Sequence, residues 1–268
     1  MKKSSHRAFV RLAAVWLSLS GQSCFAAPAG GEREKGVVEP VAFEEILCNE
    51  PGEWDARLTL ETSRLPADDG AGASFYRSAV RGQLFFGLAK DLGGDISVPL
   101  VFRRERSASG TETAAGPGDM SFGLKYLLAG GKDGAAALAA MLEVGLPTGS
   151  EGRGLGEGSV EVASSLGWIK PFSGFTAQGT AGYAAASGGT EKTLLYNLSL
   201  AVPWGDTVDL FAELLGERGL GDGRDRIAAG PGVKYYISPE LFLAAGVPFG
   251  VSAGAAEYRV ITQVQYGF

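Results

Sequence analysis

The sequence predicts an all-β fold, an antiparallel transmembrane β-barrel of about 12 strands, with short periplasmic turns and longer extracellular loops. Three observations predict it. From Trp54 onward, segment after segment alternates apolar and polar residues with a period of two, the period of a strand with one face in an apolar medium. Glycine, 41 of 268 residues, clusters between those segments at about twice its average share, as many short strands and turns require. Connectors alternate between short and long along the chain. A soluble two-layer sandwich would alternate within its strands too, but short turns at one end and long loops at the other is the pattern of a membrane barrel.

The strands follow in order. Strand one, Trp54–Leu65, sets Trp54, Ala56, Leu58 and Leu60 against Asp55, Arg57, Thr59 and Glu61. Strand two sets Val80, Leu84, Phe86 and Leu88 against Arg77, Arg81 and Gln83. Strand three has Ile96, Val98, Leu100 and Phe102 against Ser97, Arg103 and Glu105. Strand four has Met120, Phe122, Leu124, Tyr126 and Leu128 against Asp119, Ser121 and Lys125. Strand five has Leu138, Leu142, Val144 and Leu146 against Glu143 and Gly145, and strand six has Val160, Val162, Leu166 and Trp168 against Ser159, Glu161 and Ser165.

The second half repeats the pattern. Strand seven has Phe175, Ala177, Ala181 and Tyr183 against Thr176, Gln178 and Thr180. Strand eight carries Leu194, Tyr196, Leu198, Leu200, Val202 and Trp204 against Asn197 and Ser199. Strand nine has Val208, Leu210, Ala212 and Leu214 against Asp209, Glu213 and Glu217. Strand ten has Ile227, Val233, Tyr235 and Ile237 against Lys234 and Tyr236, and strand eleven has Leu241, Leu243, Val247 and Phe249 against small residues. Strand twelve runs from Tyr258 to Phe268, with Arg259, Ile261, Gln263 and Gln265 on its other face. Its aromatic end resembles the C-terminal signal of bacterial outer-membrane barrels, which implies the barrel-assembly machinery as a partner.

The connectors at one end are Asp91–Gly94, Gly130–Gly134, Lys170–Ser173, Gly205–Asp206 and Ser238–Pro239. Those at the other are Pro66–Ser74, Ser107–Gly116, Thr148–Glu157, Ser187–Lys192 and Glu217–Arg226. Trp54, Trp168 and Trp204 all fall on the apolar face at the short-turn end, with Tyr126, Tyr235 and Phe268. Amphipathic rings prefer the headgroup level, so this reads as an aromatic girdle in contact with outer-membrane lipid and lipopolysaccharide.

Residues 1–26 read as a signal peptide: Lys2, Lys3, Arg7 and Arg11, then the apolar stretch from Leu12 to Leu19, then Cys24-Phe-Ala26 before the cut. Residues 27–53, with Pro28, Pro40 and Pro51, form a periplasmic N-terminal segment or a plug that docks on the barrel, and residues 54–268 form the barrel. Export to the bacterial outer membrane is the expected location.

Cleavage removes four of the 24 Lys+Arg, so 20 stand against 30 Asp+Glu and the mature net charge is −10. An acidic chain lacks the basic field that nucleic acid requires. His6 and Cys24 leave as well, so the mature chain has no histidine and one cysteine, Cys48. That excludes a Ser-His-Asp triad, a Cys-His pair, a His/Cys zinc site and an internal disulfide. No enzyme, cofactor or metal centre is expected.

About 12 strands spaced ~4.8 Å apart and tilted ~40° give a backbone diameter of roughly 24 Å. Inward side chains leave room for ions or a small-molecule solute. Candidate lumen residues are Arg57, Arg77, Arg81, Arg103, Lys125, Glu143, Glu161, Asp209, Glu213, Lys234 and Arg259. Strands twelve and one to four carry Arg and Lys along with Asp55, Glu61, Glu105 and Asp119, whereas strands five to nine carry Glu143, Glu161, Asp209, Glu213 and Glu217 with no inward Lys or Arg. Two readings follow: a transverse field across a constriction, or a ladder of salt bridges filling a closed core. Lys125 and Glu143, symmetric about Gly134, would pair directly across adjacent strands in the second.

Four segments carry a family resemblance: Gly116-Pro-Gly-Asp-Met-Ser-Phe-Gly-Leu-Lys-Tyr126, Leu142-Glu-Val-Gly-Leu-Pro-Thr-Gly-Ser150, Gly156-Glu-Gly-Ser-Val-Glu-Val162 and Gly232-Val-Lys-Tyr-Tyr-Ile-Ser-Pro-Glu-Leu241. Together the chain from Trp54 to Phe268 resembles the outer-membrane transporter family labelled for the meta pathway of phenol degradation. The resemblance implies a barrel for passive passage of small solutes, hydrophobic or aromatic ones among them. A closed structural barrel acting through its loops is the alternative.

Overall fold

The computed structural model describes residues 48–65, 74–107, 110–130, 136–187, 192–221, 225–252 and 254–268. The expected signal peptide, residues 27–47 of the N-terminal segment, and residues 66–73, 188–191 and 222–224 of three loops lie outside them.

Twelve antiparallel strands close into one barrel. They are β1 (Trp54–Leu65), β2 (Ser74–Ala89), β3 (Leu92–Ser107), β4 (Gly110–Pro117 continuing as Met120–Ala129), β5 (Ala137–Leu146) and β6 (Glu161–Phe172). The second half comprises β7 (Phe175–Ala186), β8 (Lys192–Trp204), β9 (Val208–Gly219), β10 (Asp225–Tyr236), β11 (Leu241–Gly246 continuing as Phe249–Gly250) and β12 (Tyr258–Gly267). Each strand pairs with its sequence neighbours, and β1 pairs with β12 from Asp55↔Gly267 to Arg64↔Tyr258. Closure is finished where Trp54 and Phe268 exchange both backbone bonds, at 3.2 and 2.9 Å. Among the described residues no strand edge is left unpaired, the condition a sheet must meet in lipid.

Burial alternates as the sequence does. In β1, Asp55, Arg57, Thr59 and Glu61 are buried while Leu58 and Leu60 are exposed. In a soluble protein that pattern would be inside out. In a barrel whose outer face meets hydrocarbon it lowers the free energy, because each exposed leucine is removed from water by lipid. The apolar band is continuous from Leu100 and Phe122 through Leu166, Leu198 and Leu214 to Leu243.

Several boundaries differ from the sequence reading, among them that of Lys170–Ser173, where the ladder runs on to Phe172↔Phe175. The connector expected at Asp91–Gly94 is a two-residue turn, Lys90–Asp91, with Asp91 at φ 64° and Leu92 already paired with Ala89. Gly94 belongs to β3 and makes room for the Phe86 ring: a Cβ there would lie 2.7 Å from it. The loop expected at Ser107–Gly116 is ladder, from Leu100↔Pro117 to Ser107↔Gly110. The loop expected at Glu217–Arg226 is ladder at both ends, with Glu217↔Arg226 and Arg218↔Asp225 paired. Beyond the lipid both faces of a hairpin meet water. Thr111, Glu112 and Thr113 therefore form strand without the apolar alternation that marks one.

β4 carries a bulge. Two residues of β3, Val98 and Pro99, face Gly118, Asp119 and Met120. The extra residue redirects the strand and presents Asp119 at the loop end of the interior.

Candidate functional site in the barrel interior

The interior is the candidate site. Of the lumen residues read from sequence, Arg57, Arg77, Arg81, Lys125, Glu143, Asp209, Glu213 and Lys234 are buried, and Arg103, Glu161 and Arg259 are half-buried. All six girdle residues, Trp54, Tyr126, Trp168, Trp204, Tyr235 and Phe268, are exposed on the outer face.

The register brings some of these charges together and separates others. Asp209 stands directly opposite Lys234, and Glu217 opposite Arg226 at 3.7 Å. Two of the three inward carboxylates of β9 thus face cations on the next strand, while Glu213 stands opposite Gly230. Arg259 meets Glu61 diagonally across the β1–β12 seam at 3.2 Å. Arg57 Nε donates to Gln265 Oε1 at 2.9 Å across the same seam. Arg103 is ion-paired with Glu105 on its own strand. Lys125 and Glu143 are not directly opposite: Lys125 faces Met141, and Glu143 faces Gly123. A register shift between Leu127 and Ala129 moves the symmetry point off Gly134, so the two are diagonal neighbours two residues apart.

Sequence reasoning missed several interior residues. Asp95 is buried on the inward face of β3. It shares the odd parity of Ser97 and Arg103, but the turn expected at Asp91–Gly94 starts the predicted strand at Ile96, just after it. Phe242 points inward from β11, where only small residues were expected, and packs with Phe211, Leu215, Leu195 and Ile261 into an apolar cluster. Leu155 and Glu157 are buried although they belong to the loop 147–160, where strand parity offers no signal.

That loop folds inward, and the three glycine-bearing motifs near it form one clasp. Asp119 accepts the Gly149 N–H at 2.7 Å and the Glu157 N–H at 2.6 Å. Thr148 Oγ1 donates to the Gly118 carbonyl at 3.1 Å and accepts the Met120 N–H at 2.9 Å. The glycines are needed for the close approach: a Cβ on Gly156 would lie 2.4 Å from Asp119 Oδ1, and one on Gly149 2.8 Å from the Leu155 carbonyl oxygen. Arg153 holds the outer side by donating to the Ala115 carbonyl at 3.0 Å. A cavity of about 30 Å³ remains beneath the loop, between Arg77 and Arg81 of β2, Ser97 of β3, Ser121 of β4, and Glu157 and Glu161.

At the short-turn end, residues 48–53 cross inside the mouth. Asn49 is buried and donates to Asp55 Oδ2 at 2.9 Å. Cys48 Sγ lies 3.7 Å from the Lys125 carbonyl oxygen. Pro51 bridges to Gly87. Gly87 has to be glycine, since a Cβ would lie 2.0 Å from the Glu50 carbonyl oxygen.

The family model described as "Putative MetA-pathway of phenol degradation" matches residues 67–266. Among solved structures, the COG4313 outer membrane channel from Pseudomonas putida F1 superposes with a TM-score of 0.66 at 13% identity, covering 87% of this chain and 100% of that one. The transport unit of the autotransporter AIDA-I from Escherichia coli gives 0.55 at 11% identity, covering 96% and 97%. The KdgM porin gives 0.50 at 11% identity, covering 81% and 99%. At these identities the likeness is one of fold. No curated protein sequence matches the chain significantly.

Proposed function

The chain belongs to the family described as "Putative MetA-pathway of phenol degradation", and from that premise we propose that it is a passive outer-membrane channel for small solutes. One observation carries the reading. What occupies the interior beside the charged walls of β2 to β4 is a loop with a cavity beneath it at one end and a terminal strap at the other, each held by a few hydrogen bonds. Elements of that kind can yield to a solute, whereas a close-packed apolar core cannot. The family description brings hydrophobic or aromatic solutes, and the similar channel from Pseudomonas putida F1 agrees with a transport role. Export by the signal peptide, insertion by the barrel-assembly machinery, and lipid and lipopolysaccharide contact at the girdle belong to the same reading. It includes no enzymatic step.

The ion pairs Arg259–Glu61 and Arg226–Glu217 favour a second reading, a closed barrel acting through its loops. Single-channel recording of the refolded mature protein in a planar bilayer separates the two. Discrete steps with a reversal potential in a salt gradient are expected. Insertion without steps, with a heat-modifiable gel shift showing the barrel folded, would establish the closed barrel.

A further inference from the structure

We infer that the outward face of β1 to β3, at the loop end of the apolar band, docks the phosphate groups of the outer-leaflet glycolipid, lipopolysaccharide, with Arg104 and Arg106 as the docking cations; this rests on the outer-membrane placement within the reading above and names where that headgroup is held. Register sets the patch. Tyr258 of β12, Arg64 of β1, Tyr76 of β2, Arg104 of β3 and Thr113 of β4 stand opposite one another in one row across five strands. Arg106 lies two residues beyond Arg104 on the same face, between Ser74 and Thr111.

Height decides what this row meets. Arg64 is ten residues from Trp54 of the girdle, and Tyr76 is ten from Phe86, the partner of Trp54. Ten residues at ~3.3 Å each, tilted ~40°, rise about 25 Å, the height of a barrel's apolar band. Leu100 and Phe102 are the last outward apolar residues of β3 before Arg104. With the girdle at the periplasmic interface, the row falls among the headgroups of the opposite leaflet, where the glycolipid carries its phosphates.

Charge gives the ligand. Arg64 is already ion-paired with Glu257 at 3.2 Å and lies over the Tyr76 ring. Arg104 and Arg106 are exposed, and among the described residues neither guanidinium has an ion-pair or hydrogen-bond partner. The nearby acids Glu105 and Glu112 stand opposite each other on the other face, where Glu105 is paired with Arg103. By contrast Arg218, outward at the loop end of β9, stands opposite Asp225 and is ion-paired with it at 3.9 Å. Two neighbouring cations thus project together from a chain with 24 Lys+Arg against 30 Asp+Glu. Guanidinium forks match phosphate oxygens in bidentate, charge-assisted bonds, so a phosphate at this height completes the patch.

The test is native mass spectrometry of the refolded mature protein in detergent, titrated with diphosphoryl lipid A and with the same lipid stripped of both phosphates. Saturable binding that favours the phosphorylated form is expected. A double Arg104→Gln, Arg106→Gln variant with an intact heat-modifiable gel shift should bind that form about tenfold more weakly and lose the preference, whereas Lys90→Gln, which removes a charge at the opposite end, should change neither. If the double variant does not fold, Arg106→Gln alone is expected to weaken binding in the same direction. Equal binding of the two lipid forms, or a preference that survives in the folded double variant, overturns the inference. An equal, arginine-dependent affinity for phosphatidylglycerol overturns the assignment to the glycolipid. Bilayer recordings of the same preparation keep the two readings apart. Arginine-dependent lipid binding without conductance sinks the channel and leaves the docking site; conductance without it does the reverse.

Discussion

On the side of the interior lined by β8, β9, β11 and β12, Leu195, Phe211, Leu215, Phe242 and Ile261 pack against one another as a protein core does. On the side lined by β2, β3 and β4, Arg77, Arg81, Asp95, Ser97 and Lys125 are buried, and the space between β2 and the loop 147–160 is not filled. One barrel thus has a side that resists rearrangement and a side that holds polar groups around a cavity. On the proposed channel function, stability and passage belong to different halves of the same interior, and a solute path would follow the β2–β4 side, where displacing a loop disturbs hydrogen bonds rather than close packing.

Substitutions on the two sides should then behave differently. The largest effect on stability is expected from Phe211→Ala, which empties a buried aromatic site in the packed cluster: a loss of about 3–5 kcal/mol in urea unfolding, with ion selectivity unchanged. A selectivity change in this variant would erase the distinction between the sides. Arg259→Gln breaks the seam pair with Glu61 and leaves that carboxylate buried, a situation that costs about 3 kcal/mol or more. The same unfolding experiment checks it, with Arg81→Gln as the internal contrast. Arg81 has no close ion pair of this kind among the described residues, so its replacement should cost less than that of Arg259.

Asp119→Ala removes the acceptor of two loop amides, each such bond to a charged group being worth about 1.5–3 kcal/mol. The barrel should stay folded while the loop leaves the interior, seen as a larger single-channel conductance and new protease cleavage within residues 147–160. An unchanged conductance in a cleaved loop would show that the loop does not limit the path. Gly156→Ala should give a weaker form of the same phenotype through its clash with Asp119. The smallest effect is expected from Trp204→Phe at the outer girdle, a change of about 1 kcal/mol or less in unfolding in lipid vesicles, since the ring remains and only the indole N–H is lost.

Much of this architecture was legible in the residues themselves. The inward parity of Arg57, Arg81, Glu143 and Glu213 and the outward parity of Leu58, Leu124 and Leu198 follow from a period of two. A membrane enforces that period more strictly than water does, because a charge turned toward lipid is expensive. The outward placement of Trp54, Trp168 and Trp204 was legible for the same reason. Hairpin ends outside the lipid, such as Gly110–Pro117, were not, since no medium there distinguishes one face from the other.

By itself the sequence determined which face of each strand meets lipid, how many strands there are and how they follow one another, because those depend on local alternation and on connector length. The tertiary structure decided which charges stand opposite one another and which line the cavity. Lys125 opposite Met141, Asp209 opposite Lys234, and Arg81 facing a cavity depend on register, bulges and barrel closure, and a shift of one or two residues rearranges every pair. It also brought Asp119, Gly149 and Glu157 into one clasp, a meeting of three distant segments that no local pattern encodes.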